Sequence, residues 1–174
     1  MPQQRLIEIL KCSLNQELEL LDALSDEQYA APGQGPFKSS IGQHIRHNLD
    51  HFEALFDGLP AKRVDYESRG RSELVSESTD FAAGRIQQYI GQLDQLDEFD
   101  PALLLVRKED GLPEEHMDWL SSSLARELQF LLGHTVHHHA IICFMLSGFG
   151  IRQPEGFGVA PSTQRYEARV QASS

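Results

Sequence analysis

From Gln4 to Ala23 the apolar side chains Leu6, Ile7, Ile9, Leu10, Leu14, Leu18, Leu20 and Leu21 recur at three-and-four spacing, with Leu24 just beyond. A stripe of that period buries itself only if the segment is an amphipathic helix whose apolar face meets another element. Three later segments repeat the pattern with their own punctuation. Ser39 or Ser40 caps a helix that runs to about Phe56, where Asp57-Gly58 and Pro60 end it. Ser78 or Thr79 caps a third, with Phe81, Ile86, Tyr89, Ile90, Leu93 and Leu96 on one side and Asp100-Pro101 beyond its end. Ser121, Ser122 and Ser123 open the fourth, LARELQFLLGHTVHHHAIICFML, which stops at Gly148 or Gly150. Four long helices in 174 residues predict a single domain over 1–174 and an all-α four-helix bundle.

The connections are unequal. Ser25 starts a short capped turn, SDEQYAAPG, and GQGPFK reads as a loop. Residues 61–78 are polar and lack a sustained period, which makes a long connection between helices 2 and 3. Before helix 4, ALLLVRKEDGLPEEHMDWL reads as a small hairpin or an extended linker turning at Asp110-Gly111 and Pro113. From about 151 the chain is a polar tail rich in Gly and Pro, which Phe157 and Val159 can anchor to the core. Cys12 and Cys143 lie on predicted helices without metal-site spacing and read as reduced, buried thiols. Trp119 reads as a packing residue.

Seven of the eight histidines fall in two clusters: His44, His47 and His51 on helix 2, and His134, His137, His138 and His139 on helix 4. At about 100° per residue, His134 and His138 stand only about 40° apart and share a face with Leu131, Ile141 and Met145. That apolar company turns the pair into the bundle. His137 lies to one side, and His139 points towards the opposite side, which places these two at an interface or in solvent. His47 and His51 repeat the spacing, His44 shares their side, and any of the three could complete a site with His134 and His138. A lone interior histidine is more often a hydrogen-bonded core residue than a ligand. Several neutral imidazoles crowded together leave polar nitrogens unpaired, which favours a metal. Zinc- or nickel-type ions accept imidazole nitrogen, and three protein ligands leave one position open. Glu127 sits two turns before His134 on the same face, either as a ligand-orienting or proton-accepting carboxylate or as a surface group near the helix start. Asp50 and Glu53 are expected to be solvated.

The formal net charge of −11 works against nucleic-acid phosphates and anionic membrane surfaces, because the scattered basic residues form no concentrated patch. The longest apolar run, AIICFML, is too short to cross a bilayer, and the first residues lack an uninterrupted apolar stretch. A soluble, cytoplasmic protein acting on a small molecule is the expectation.

The pairing of SIGQHIRHNLDHF with SSSLARELQFLLGHTVHHHAII resembles the DinB/YfiT-like superfamily of four-helix-bundle metalloenzymes. The resemblance covers most of the chain, from the first helix to about Ile142. In that family one histidine follows a small residue–Gly pair on helix 2, and two come from a late H-x-x-x-H motif. Carried over, the resemblance implies metal ligands His47, His134 and His138, with His51 and His44 as alternative or additional ones. It implies a divalent ion, zinc or nickel, and chemistry like that of metal-dependent thiol S-transferases acting on a small electrophile with a low-molecular-weight thiol cosubstrate. A carboxylate-bearing thiol would need a cation, for which Arg46, Arg126, Arg69 and Arg71 are candidates, while Tyr66 and Arg69 lie in the long connection where a substrate-facing loop would sit. A metal-dependent hydrolase is the nearest enzymatic alternative. A non-catalytic, metal-binding, stress-associated homodimer is the alternative of another class.

Overall fold

A computed structural model describes residues 2–33, 38–67, 70, 72–98, 103–107 and 118–172. Four long helices form the body: α1 (Pro2–Asp22), α3 (Ile41–Gly58), α5 (Thr79–Asp94) and α6 (Leu124–Ser147). Short helices α2 (Asp26–Ala30) and α4 (Glu73–Glu77) fill the connections, and α7 (Pro161–Gln171) follows the bundle. Serine side chains cap α2, α3, α5 and α6. Ser25 and Ser40 each close a reciprocal cap with the glutamine three residues on, Gln28 and Gln43, and the Ser78 and Ser123 hydroxyls accept from Phe81 and Arg126 amides.

The long helices pack in the ring α1, α6, α3, α5, each against its two neighbours. Leu10 and Leu14, Ile45, Phe52 and Leu55, Ile86 and Leu93, and Leu128, Leu131 and Ile142 meet at its centre, all fully buried. Among the described residues α6 alone has the length and hydropathy of a membrane span, at 1.2, yet it carries four histidines and packs on α1 and α3 as a bundle helix. Gly42 lets α3 close on α4, for a Cβ there would fall 2.1 Å from the Ser76 carbonyl oxygen.

Of the hairpin or extended linker expected before helix 4, the strands of a hairpin are present, β2 (Leu103–Arg107) paired antiparallel with β3 (Leu120–Ser123); the expected turn at Asp110-Gly111 and Pro113 lies outside the described residues. The long connection holds a strand that periodicity did not reveal, β1 (Arg63–Asp65), parallel to β2 with Val64 opposite Val106. Three residues are too few to show alternation, and Val64 is fixed by pairing with a strand some forty positions away. The sheet's inner face gives Val64 and Leu104 to the core. Arg63 and Arg107 lie over the half-buried Trp119 ring, at 4.3 and 5.4 Å from its centroid.

The tail, both cysteines and Phe81 also differ from the sequence reading. The tail ends in α7, which has no buried residue; Pro161 sits in its first turn, and Gln164 Nε2 donates to the carbonyls of Gly156 and Val159. Cys12 is exposed, Cys143 is half-buried, and Phe81 is partly exposed beyond its cap. Phe157 does anchor the tail, fully inside the core.

Candidate metal centre

His47 and His51 stand one turn apart on α3, and His134 and His138 one turn apart on the facing stretch of α6. One nitrogen from each of His47, His51 and His134 lies within 4.8 Å of the others. The His51 and His134 rings are 4.0 Å apart between centroids, and the His47 ring is 5.0 Å from His134 and 4.9 Å from His138. His138 Nε2 is 3.2 Å from His134 Nε2, and His138 Nδ1 is 3.1 Å from His44 Nδ1. Two nitrogens bound at 2.0–2.1 Å to one tetrahedral zinc stand about 3.3 Å apart, so the His134–His138 spacing suits two ligands of one ion.

The protonation states suit ligation as well. His51 Nδ1 is 2.8 Å from the His47 carbonyl oxygen. A carbonyl only accepts, so Nδ1 carries a proton, and in the neutral ring Nε2 is the nitrogen left to bind an ion. Burial pushes His138 down to about 3, with further lowering by His47, His44, His137 and His51. Burial, then His137, also lowers His44, whose Nε2 is buried with no hydrogen-bond partner among the described residues. Neutral imidazoles with available lone pairs are the donor set that zinc-type ions accept.

An aromatic wall closes one side. The Tyr66 ring stacks on His51 at 5.5 Å and 26°, and Phe130 stands 5.8 Å from His51 and 5.7 Å from His134. The Tyr66 hydroxyl donates to Glu127 Oε2 at 2.8 Å, and Ser122 donates to Glu127 Oε1. Glu127 is therefore a buried acceptor rather than a surface carboxylate, and it bears on the histidines through Tyr66. Burial, then the charge and hydrogen bond of Glu127, raise the Tyr66 phenol far above its ordinary value, so it remains a donor.

The DinB superfamily matches residues 13–142, a span that holds both histidine clusters, Tyr66 and Glu127. The chain belongs to the DinB superfamily. No curated protein and no solved structure matches it.

The centre of this DinB protein thus gathers all five inward candidates, His44, His47, His51, His134 and His138, at the α3–α6 seam. Helical spacing left His44, His47 and His51 open, since ideal angles cannot say how far α3 is rotated towards α6, and only the family resemblance made His51 an alternative to His47. His137 is exposed, as its position on α6 predicts. His139, expected at an interface or in solvent, is instead buried, its ring stacked on Phe157 at 3.9 Å and its Nε2 2.8 Å from Glu17 Oε1. Asp50, expected in solvent, is also buried, whereas Glu53 is half-exposed and pairs with Arg85. Arg126 is exposed and lines a cleft of about 470 Å³ with Gln129, Phe130, Gly133, His134 and His137. Arg46 is half-buried, and Arg69 and Arg71 lie outside the described residues. Tyr66 is the site residue that the sequence signalled least, for only its place in a long connection pointed to it.

Proposed function

We propose that this DinB-superfamily protein is a metal-dependent enzyme in which His47 and His134, with His51 or His138, hold a divalent zinc or nickel ion beside the Arg126 cleft. The observation that carries this reading is the convergence of His47, His51 and His134 within 4.8 Å across the α3–α6 seam. A divalent ion at such a site lowers the pKa of a bound thiol or water and so supplies a nucleophile at neutral pH. The chain's own groups do the rest. His51 is oriented by the His47 carbonyl and by Tyr66, Glu127 holds the Tyr66 hydroxyl, and Phe130 keeps one side of the cluster apolar. The reaction we assign is thiol S-transfer to a small electrophile in the cytoplasm, with hydrolysis by a metal-activated water as its nearest relative. The acidic chain and the small open cleft fit a small molecule better than a polyanion.

One observation favours a second reading. His138 Nε2 lies 3.2 Å from His134 Nε2, so four imidazoles are at hand to close a tetrahedral shell. A closed shell would make the ion structural.

Elemental analysis of untagged protein decides first, beside single alanine variants of His47, His51, His134 and His138. About one equivalent in the wild type, lost in the His47 and His134 variants, is expected; absence of metal after reloading with zinc or nickel overturns the reading. Metal-dependent turnover of electrophiles with low-molecular-weight thiols then separates transferase from hydrolase. Metal without turnover, together with a fold that collapses on chelation, leaves the structural role.

A further inference from the structure

Behind the histidines the bundle carries a second polar layer. Glu17 of α1, Asn48 of α3 and Thr135 of α6 are each 0% exposed. Asn48 Nδ2 donates to Glu17 Oε1 at 2.7 Å, and Thr135 Oγ1 donates to Asn48 Oδ1 at 3.0 Å. The Asn48 amide has one consistent orientation here, because a carboxylate accepts and the threonine hydroxyl supplies the proton to the amide oxygen. His139 Nε2 meets the same Glu17 oxygen, and Glu17 Oε2 has no partner among the described residues.

Burying a carboxylate, an amide and a hydroxyl in a core of leucine and isoleucine costs more than filling that space with apolar side chains, unless every group is satisfied. Glu17 is not fully satisfied, so stability alone does not account for the network. Its placement supplies a reason. Asn48 directly follows His47 in the chain, and Thr135 directly follows His134. The Asn48–Thr135 bond therefore ties α3 to α6 at the very turn where each helix presents its histidine, and Glu17 fixes the amide from the third helix. A slide or rotation of α3 against α6 breaks a buried hydrogen bond before the histidines can separate.

We propose that the Glu17–Asn48–Thr135 network is a positioning device that sets the register of α3 against α6, and thereby the affinity of the histidine centre for its divalent ion. This role rests on the metal reading above. None of the three residues belongs to the candidate ligand set; they act through the spacing of His47 and His51 from His134.

The test compares Thr135→Val, which keeps the shape and removes the hydroxyl, with Thr135→Ser, which keeps the donor, and with Leu93→Ala, a core truncation on α5 outside the network. Zinc affinity is read by competition with a chelating dye, the visible spectrum of the cobalt-loaded protein reports ligand geometry, and the melting temperature of the metal-free protein is measured in parallel. Thr135→Val is expected to bind zinc at least ten-fold more weakly with an altered cobalt spectrum, Thr135→Ser to stay within about three-fold of wild type, and Leu93→Ala to bind as wild type does despite a lower melting temperature. Should Thr135→Val not fold, Thr135→Ala carries the same comparison. Affinity and spectrum unchanged in the folded hydroxyl-less variant overturn the positioning role, as does an equal loss of affinity in Leu93→Ala. A wild type that takes up neither zinc nor cobalt removes the metal reading itself, and the two failures are thereby told apart.

Discussion

His138 is held neutral by its surroundings, and that has a sign at the level of stability. Its ordinary value of 6.5 falls to about 3 in the fold, chiefly through burial. Between those values the unfolded chain takes up a proton that the folded chain refuses, so the contribution of this residue is fully present above pH 6.5 and shrinks as pH falls towards 3. His44 is shifted in the same direction by burial and by His137. Each such group changes stability by at most about 1.4 kcal/mol per pH unit inside its window. The melting temperature of chelator-treated protein should therefore drop between pH 7.5 and pH 5, and drop less in His138→Gln. A wild-type melting temperature that is flat over that range would contradict the neutral, buried imidazole.

At the scale of elements, the segment between α6 and α7 does more than end the chain. Phe157 is 2% exposed and stacks on His139, whose partner Glu17 belongs to the network behind the metal centre. Its carbonyl accepts from Cys143 Sγ, and Gln16 of α1 donates to the Glu155 carbonyl. Gly158, at φ +74, lets the backbone pass α6 so closely that a Cβ would lie 2.9 Å from Ala140. Removing the Phe157 ring leaves a cavity against α6 and should cost about 3–5 kcal/mol. Phe157→Ala is expected to lower the melting temperature by roughly 10 °C and to expose α7 to limited proteolysis at concentrations that leave the wild-type chain intact. Retention of both properties would show the strap to be dispensable.

For the whole molecule the decisive quantity is the link between the ion and the fold. An ion that binds only the folded chain stabilises it by about 2.7 kcal/mol at a hundred times its dissociation constant. For a chain of this size that is a rise of roughly 5–10 °C, which zinc titrated into metal-free protein should produce and which His134→Ala should abolish. A metal-free protein that remains folded at 25 °C fits an open, reactive site on a bundle whose apolar core stands by itself. A metal-free protein already unfolded there fits a closed four-imidazole clip.

The chain's local chemistry reaches far in this protein. Four apolar stripes, three of them opened by serine caps, specify the long helices, and the i, i+4 histidines specify which face of α3 and of α6 carries the donors. Local pattern also offered a hairpin ahead of α6, beside an extended linker, and Phe157 with Val159 as anchors, of which Phe157 is the buried one. It could not set the rotation of α3 against α6, and that rotation brings His51 in with His47 and His134, with His138 alongside. Nor could it reveal that His139 turns inward, since its partners Glu17 and Phe157 come from α1 and from the tail. Strand β1, the buried Glu127–Tyr66 contact and the Glu17–Asn48–Thr135 network likewise join residues far apart in the chain. Periodicity is a property of neighbours along the backbone, so it is written in the sequence; which faces meet, and at what register, is settled only when the packed core selects one arrangement of the helices.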